Sequence, residues 1–190
     1  MSKAGSHVVN VAVGVWSWGR SFLRKRRPEG RHRSEPSFDG RAERALRFLV
    51  EAGEVLATSL DYEVTLQRIA NLAVPDLADW CAVRILDDEG EFQPVALAFA
   101  DPARRALAED LFRLYPPPRD ATHGPGEVVR SRRPYFQPEV TDEMQAASAR
   151  NAEHLRLIRA VGCRSYLCVP MEADGRLLGT LSWIISEPNR

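Results

Sequence analysis

The run Cys163-Arg-Ser-Tyr-Leu-Cys168-Val-Pro-Met-Glu-Ala-Asp174-Gly-Arg-Leu-Leu-Gly179-Thr-Leu-Ser-Trp-Ile-Ile-Ser186 decides the architecture. Two segments rich in β-branched and aromatic residues flank Asp174-Gly175, a pair able to take the φ > 0 conformations of a tight turn, so the run reads as a β-hairpin. Pro170 removes a backbone donor near the end of the first arm and places that end at an edge or a bulge. The second arm, Leu177 to Ile185, is apolar enough for a buried central strand. Everything upstream then has to cover that sheet.

Working outward from the hairpin, the preceding stretch predicts a helix that begins near Thr141 or Asp142 and runs to Val161. Asn151 is a potential break and Gly162 the left-handed stop. Tyr135-Phe136-Gln137 is extended between Pro134 and Pro138. Before it, a short helical turn around Glu127 to Ser131 follows a loop, Arg119 to Gly126, that ends in His123-Gly124-Pro125-Gly126. Asp101-Pro102 is a strong helix start, an N-cap followed by proline at the first helical position. That helix carries Leu107, Leu111 and Leu114 on one side and ends at Pro116-Pro117-Pro118.

Trp80 to Leu86 reads as a strand, stopped by Asp87-Asp88-Glu89-Gly90, with Phe92 to Phe99 as its hairpin partner. Alternation sends Cys81, Val83 and Ile85 to one face and Trp80, Ala82 and Arg84 to the other. An arginine inside an apolar strand belongs most often at a solvated edge or beside a carboxylate, and less often against an anionic ligand. Further upstream, Asp61 caps a helix in which Leu66, Ile69, Ala70 and Ala73 share a face, ended by Val74-Pro75. Leu46, Leu49, Gly53, Leu56 and Leu60 recur every three or four residues along a helix from Arg41 to Ser59. That stripe packs either on the domain's own sheet or on the same helix of a second subunit.

At 190 residues with a hydrophobic share of 44%, the chain holds one domain of ordinary size plus an extension. Residues 1–37 form that extension and 38–190 the domain. The formal net charge is zero, yet residues 1–36 hold 8 Lys or Arg against 2 Glu. A basic tail on an acidic body is an address for something anionic or a solvated linker without a specific partner; the composition favours the linker. Within the extension lies a short apolar segment, 8–23, shorter than the ~20 residues of a spanning helix. Its two Trp beside the cluster Arg24 to Arg27 suit an anionic membrane surface, but membrane contact by residues 8–27 is the less favoured reading. Three cysteines, Cys81, Cys163 and Cys168, lack zinc spacing and are odd in number, which points to a reducing cytoplasm rather than a secreted disulfide framework.

The order of these elements resembles the GAF sensor domain from Arg41 to Ser186, of the kind found upstream of PPM-type serine phosphatase and histidine kinase modules in bacterial signalling proteins. The resemblance is carried by Asp79-Trp80-Cys81-Ala82-Val83, by Phe99-Ala100-Asp101-Pro102, and by the Ser165 to Leu181 hairpin with Val169-Pro170 and Leu178-Gly179. It implies an α+β fold: an antiparallel sheet with helices on one face and a helix- and loop-roofed pocket on the other. By position, Phe99, Phe112, Tyr115, His123, Val128, Tyr135, Phe136, His154 and Ile158 would line that pocket, with Arg84 added from the strand reading. Phe112 and Ile158 at helical spacing are more often core and His123 more often a solvated turn residue, which leaves Tyr135 and Phe136 as the better pocket candidates.

No match to the Asn-Lys-Phe-Asp-Glu pattern of cyclic-nucleotide-binding members is present, nor a Cys-His pair like a bilin attachment site, so no cofactor is named. The chain carries no nucleotide-binding glycine loop, no nucleophile with a neighbouring base and no clustered metal carboxylates. The expectation is a non-catalytic, cytoplasmic sensory module that binds a small molecule or partner protein, pairs as a homodimer through its first helix and binds no nucleic acid. With the chain closing directly after the last strand, a separate kinase or phosphatase would supply the output. Two alternatives stay open: a ligand-free dimerisation domain, and a cysteine-dependent enzyme like the GAF-type methionine sulfoxide reductases.

Overall fold

The computed structural model describes residues 40–58 and 61–186. These form α1 (Gly40–Thr58), α2 (Tyr62–Ala73), β1 (Trp80–Leu86), β2 (Phe92–Phe99), α3 (Ala103–Leu114), α4 (Gly124–Ser131), β3 (Tyr135–Gln137), α5 (Asp142–Ser148), α6 (Ala152–Val161), β4 (Ser165–Ala173) and β5 (Arg176–Ile185). The basic extension and its apolar segment lie outside the described residues, as does Leu60. No helix among the described residues is long and apolar enough to cross a membrane.

The strands make one antiparallel sheet in the order β2-β1-β5-β4-β3. β5 is central, in keeping with its largely apolar composition. The closing turn has Asp174 at φ 52° and Gly175 at φ 76°, the paired left-handed conformations of a tight hairpin. Pro170 lies beyond the three β4 residues that pair with β3, and a register shift follows at Met171/Glu172. Its missing donor therefore falls where the outer side of β4 has no strand beside it. Gly179 is demanded by the neighbouring strand: a Cβ there would stand 2.0 Å from the Arg84 carbonyl oxygen. The absence of a side chain lets β5 close against β1 at that level.

Side chains on the two faces of the sheet build two cores. On one face Cys81, Val83, Ala96, Ala98, Met171 and Leu181 meet Phe48 and Ala52 of α1 and Ile69, Ala70 and Ala73 of α2. On the other, Trp80, Ala82, Leu97 and Ile184 meet Ala108 and Leu111 of α3 and Leu157 and Val161 of α6, while α4 lies over β3, β4 and β5.

Two local expectations are corrected and one left open is narrowed. The sheet-facing side of α1 is Phe48, Ala52 and the partly buried Val55, joined by Leu49, while of the other described members of the leucine stripe Leu46 is 55% exposed and Gly53 faces open space. The helix is apolar on two sides, and the bulkier aromatic side took the core. α4 starts at Gly124 rather than near Glu127, so the Gly-Pro-Gly read as loop is a helical first turn. Proline needs no partner there for its missing N–H, and a Cβ at Gly126 would stand 2.5 Å from the Pro118 carbonyl oxygen. Asp101 still caps α3, its carboxylate accepting from the Ala103 N–H at 3.0 Å, but Pro102 precedes the first helical residue instead of occupying it. The break at Asn151 is where the sequence put it, Asn151 Oδ1 accepting from the His154 N–H at 2.9 Å.

Candidate functional site

β1 is interior, and between Val83 and Arg84 its register with β2 shifts by one residue, so that Arg84 stands opposite Pro94 on one side and Thr180 on the other. Such a bulge increases the local twist and re-aims the side chain next to it. Arg84 is turned under α3 with 5% of its surface exposed. Its guanidinium carbon lies 4.1 Å from the centroid of the Phe112 ring. The common settings for such an arginine are both overturned: the strand is not an edge, and among the described residues no carboxylate pairs with the guanidinium.

Magnitudes show how unusual this is. Removing a guanidinium from water costs several kcal/mol even after relaxation, whereas a desolvated cation–π contact returns about 2 kcal/mol. Burial accordingly pulls the Arg84 pKa down. The groups whose negative forms would oppose that fall are Tyr166, Cys168 and Cys81. Burial raises the pKa of all three, so they stay neutral. Among the described residues Arg84 thus faces no actual anion.

Around it the sheet presents a polar floor. Cross-strand pairing aligns Arg84 with Thr180, and one level along aligns Ala82, Ser182 and Cys168. Thr180 and Ser182 are fully buried. The Tyr166 hydroxyl and Ser182 Oγ are 3.1 Å apart, and Ser182 Oγ lies 3.3 Å from the Cys168 sulfur. Among the described residues Thr180 Oγ1 makes no hydrogen bond of ordinary geometry, only a weak contact toward the Cys168 thiol. Tyr135, opposite Cys168 on β3, shares this face, and its ring is 6.2 Å from that of Tyr166.

The roof is held from several directions. Trp80 stacks on Phe99 at 5.3 Å, tilts against Phe112 at 6.1 Å and donates its indole N–H to the Gly162 carbonyl oxygen at 3.0 Å. Tyr115, at the end of α3, stacks on His154 of α6 at 4.2 Å and donates to Asn151 Oδ1 at 3.1 Å. His154 Nδ1 accepts from the Arg150 N–H at 3.0 Å, which assigns a neutral ring with its proton on Nε2. Burial, and secondarily the Arg150 charge, lower its pKa in the same sense. Arg132, left-handed at the end of α4, donates to the Gly175 carbonyl oxygen at 3.0 Å and so fixes that helix to the closing turn.

Of the residues singled out in the sequence, Arg84, Phe99, Phe112, Tyr115, Val128, Tyr135, His154 and Ile158 come to this side of the sheet. Two do not join them. Phe136 is 47% exposed and pairs with Leu167 in the row that contains Trp183, on the opposite face, because strand alternation separates it from Tyr135. His123 precedes α4 as an exposed cap residue whose side chain makes no capping hydrogen bond. Sequence reasoning missed Tyr166, Thr180 and Ser182. Two hydroxyls alternating with Leu181 and Trp183 in a central strand were the available signal.

The family profile of the GAF domain matches residues 61–185. The chain belongs to the GAF family. No curated protein matches it by sequence. Among solved structures it is similar to the A. aeolicus nlh2 GAF domain in an inactive state (TM-score 0.55, 12% identity, 78% of this chain and 83% of that one). It is similar to the GAF domain of a phosphoenolpyruvate-protein phosphotransferase from Coxiella burnetii (0.52, 18%, 76% and 79%). A third similar structure is the free methionine-R-sulfoxide reductase from Neisseria meningitidis in complex with its substrate (0.52, 16%, 84% and 82%). At these identities the likeness is one of fold. In this GAF domain burial raises the pKa of all three thiols, that of Cys163 to about 12. They rest as thiols rather than nucleophilic thiolates.

Proposed function

We propose that this GAF domain is a sensory module of bacterial signal transduction, without catalysis of its own. A small molecule binds between the sheet and the layer formed by α3, α4 and α6. Its presence is passed through α1, which pairs with the same helix of a second copy, to an output protein such as a kinase or phosphatase. The observation that carries this reading is the difference between the faces of the sheet. The α1/α2 face is an apolar core, while the other buries Arg84, Thr180 and Ser182 under aromatic rings. A ligand would shift the packing of the roof only by its difference in affinity for the two arrangements. Native mass spectrometry of the purified full chain tests it. A dimer carrying one small molecule per protomer is expected, and a bare monomer would overturn both halves.

A second reading, a ligand-free interaction domain, is favoured by the stacks Trp80–Phe99 and Tyr115–His154, which occupy part of the space with the protein's own rings. Thermal-shift screening separates the two, since a molecule that binds only the native state must raise its stability.

A further inference from the structure

We infer that the molecule bound in this site presents a single carboxylate to the Arg84 guanidinium, beside the Thr180 hydroxyl and beneath Phe112, an inference that rests on the small-molecule reading of the site. Arg84 has 5% of its surface exposed and, among the described residues, its guanidinium has neither an ion pair nor a hydrogen bond, only the face of Phe112. Its cross-strand neighbour Thr180 is fully buried, its hydroxyl making only a weak contact toward the Cys168 thiol and no hydrogen bond of ordinary geometry. Buried polar groups in folded proteins are almost always satisfied, and among the described residues three buried side-chain atoms are not: Glu172 Oε1, Trp183 Nε1 and Thr180 Oγ1, the last being the cross-strand neighbour of Arg84. Arg84 and Thr180 are both donors, and both are satisfied by one acceptor with two oxygens.

Charge fixes the class of acceptor. Arg84 is the one buried cationic side chain among the described residues, His154 being held neutral. Glu172, the half-buried carboxylate of β4, has the Arg132 charge 4.0 Å from its Oε1, which accepts no hydrogen bond among the described residues. One positive charge is balanced by a monoanion; a phosphate dianion would bury a surplus negative charge. The planar fork of a guanidinium matches a carboxylate through two parallel N–H donors, and Phe112 covers the guanidinium face without occupying those in-plane donors. The hydroxyls of Tyr166 and Tyr135 already have partners in Ser182 and Gln137. The rest of the ligand therefore meets ring surface, and a small apolar body suits it.

The experiment is a thermal-shift titration of the full chain with butyrate and benzoate, with butyramide and benzamide as neutral counterparts, and with inorganic phosphate. The acids are expected to raise Tm by about 3 °C at about 10 mM, with the amides and phosphate silent. Arg84→Met should abolish the response, and Arg84→Lys, which keeps the charge but loses the fork, should require roughly tenfold more acid. Should the Met variant not fold, the Lys variant and the acid–amide contrast still decide. Amides matching the acids, or an acid response surviving in Arg84→Met, would overturn the carboxylate while leaving a small-molecule site. A response to phosphate alone would replace the carboxylate with another anion. No response to acid, amide or phosphate would overturn the inference together with the reading beneath it.

Discussion

At the scale of single residues the domain sorts its polar side chains by whether the fold itself satisfies them. His154 is satisfied: its Nδ1 accepts a backbone N–H and its ring is stacked on Tyr115. That arrangement needs the neutral ring, and its folded pKa lies below the ordinary 6.5. As pH falls, the unfolded chain therefore takes up the proton first. The contribution of His154 is complete above pH 6.5 and is lost as pH falls through the folded-state value. Protonation removes the acceptor of the part-buried Arg150 N–H, at a cost of about 1 kcal/mol. Thermal melts from pH 8 to pH 5 should show this fall in wild type, and a smaller one in His154→Asn, whose amide oxygen accepts without titrating. Equal pH dependence in the two proteins would remove His154 from the account. Arg84 is the opposite case, and no periodicity argument predicts it. The sequence places it on the site face, but only the buried interior strand and the lack of a carboxylate among the described residues distinguish the proposed ligand contact from an edge cation.

Among the elements, α1 shows why a stripe of apolar residues does not by itself name its partner. Phe48 and Ala52 face the sheet, with Phe48 set edge-on to Trp183 at 6.1 Å. Leu46 and Val50, one helical turn apart, are 55% and 54% exposed, and Gly53 continues that side with open space. The leucine spacing thus located a real second side of the helix, of whose described members only Leu49 packs against the core, because periodicity gives phase without naming the burying surface. The same limit explains α4, where Gly-Pro-Gly followed local turn chemistry in the sequence and tertiary contact with Pro118 in the fold. The strands, the Asp174-Gly175 turn and the Asn151 break were legible because each is set by local patterning or capping. If the outer side of α1 is the dimer seam, Leu46→Glu with Val50→Glu should yield a monomer by sedimentation while leaving stability within about 0.5 kcal/mol, as for surface changes. Phe48→Ala should instead cost about 3 kcal/mol through the cavity it leaves. A charged double variant that still sediments as a dimer would place the seam elsewhere.

For the whole molecule the decisive fact is that one five-stranded sheet serves as floor to the site and as ceiling to the helix proposed to report on it. Adjacent residues of β1, Cys81 and Ala82, belong to the two separate cores. Any change of twist at the Val83/Arg84 bulge is therefore felt on both faces at once. The domain carries a reporter on each: Trp80 lies against Phe99 and Phe112 on the site side, and Trp183 against Phe48 of α1 on the other. With Trp16 and Trp18 replaced by Phe, a Trp80→Phe variant leaves Trp183 as the sole emitter, and a Trp183→Phe variant leaves Trp80. Butyrate should alter the emission of Trp80 directly. If occupancy is transmitted through the sheet, the Trp183 emission should change with the same half-saturating concentration, and both changes should vanish with Arg84→Met. A Trp80 response with Trp183 unmoved would mean that the site fills without informing α1, and the signal would have to leave through the roof.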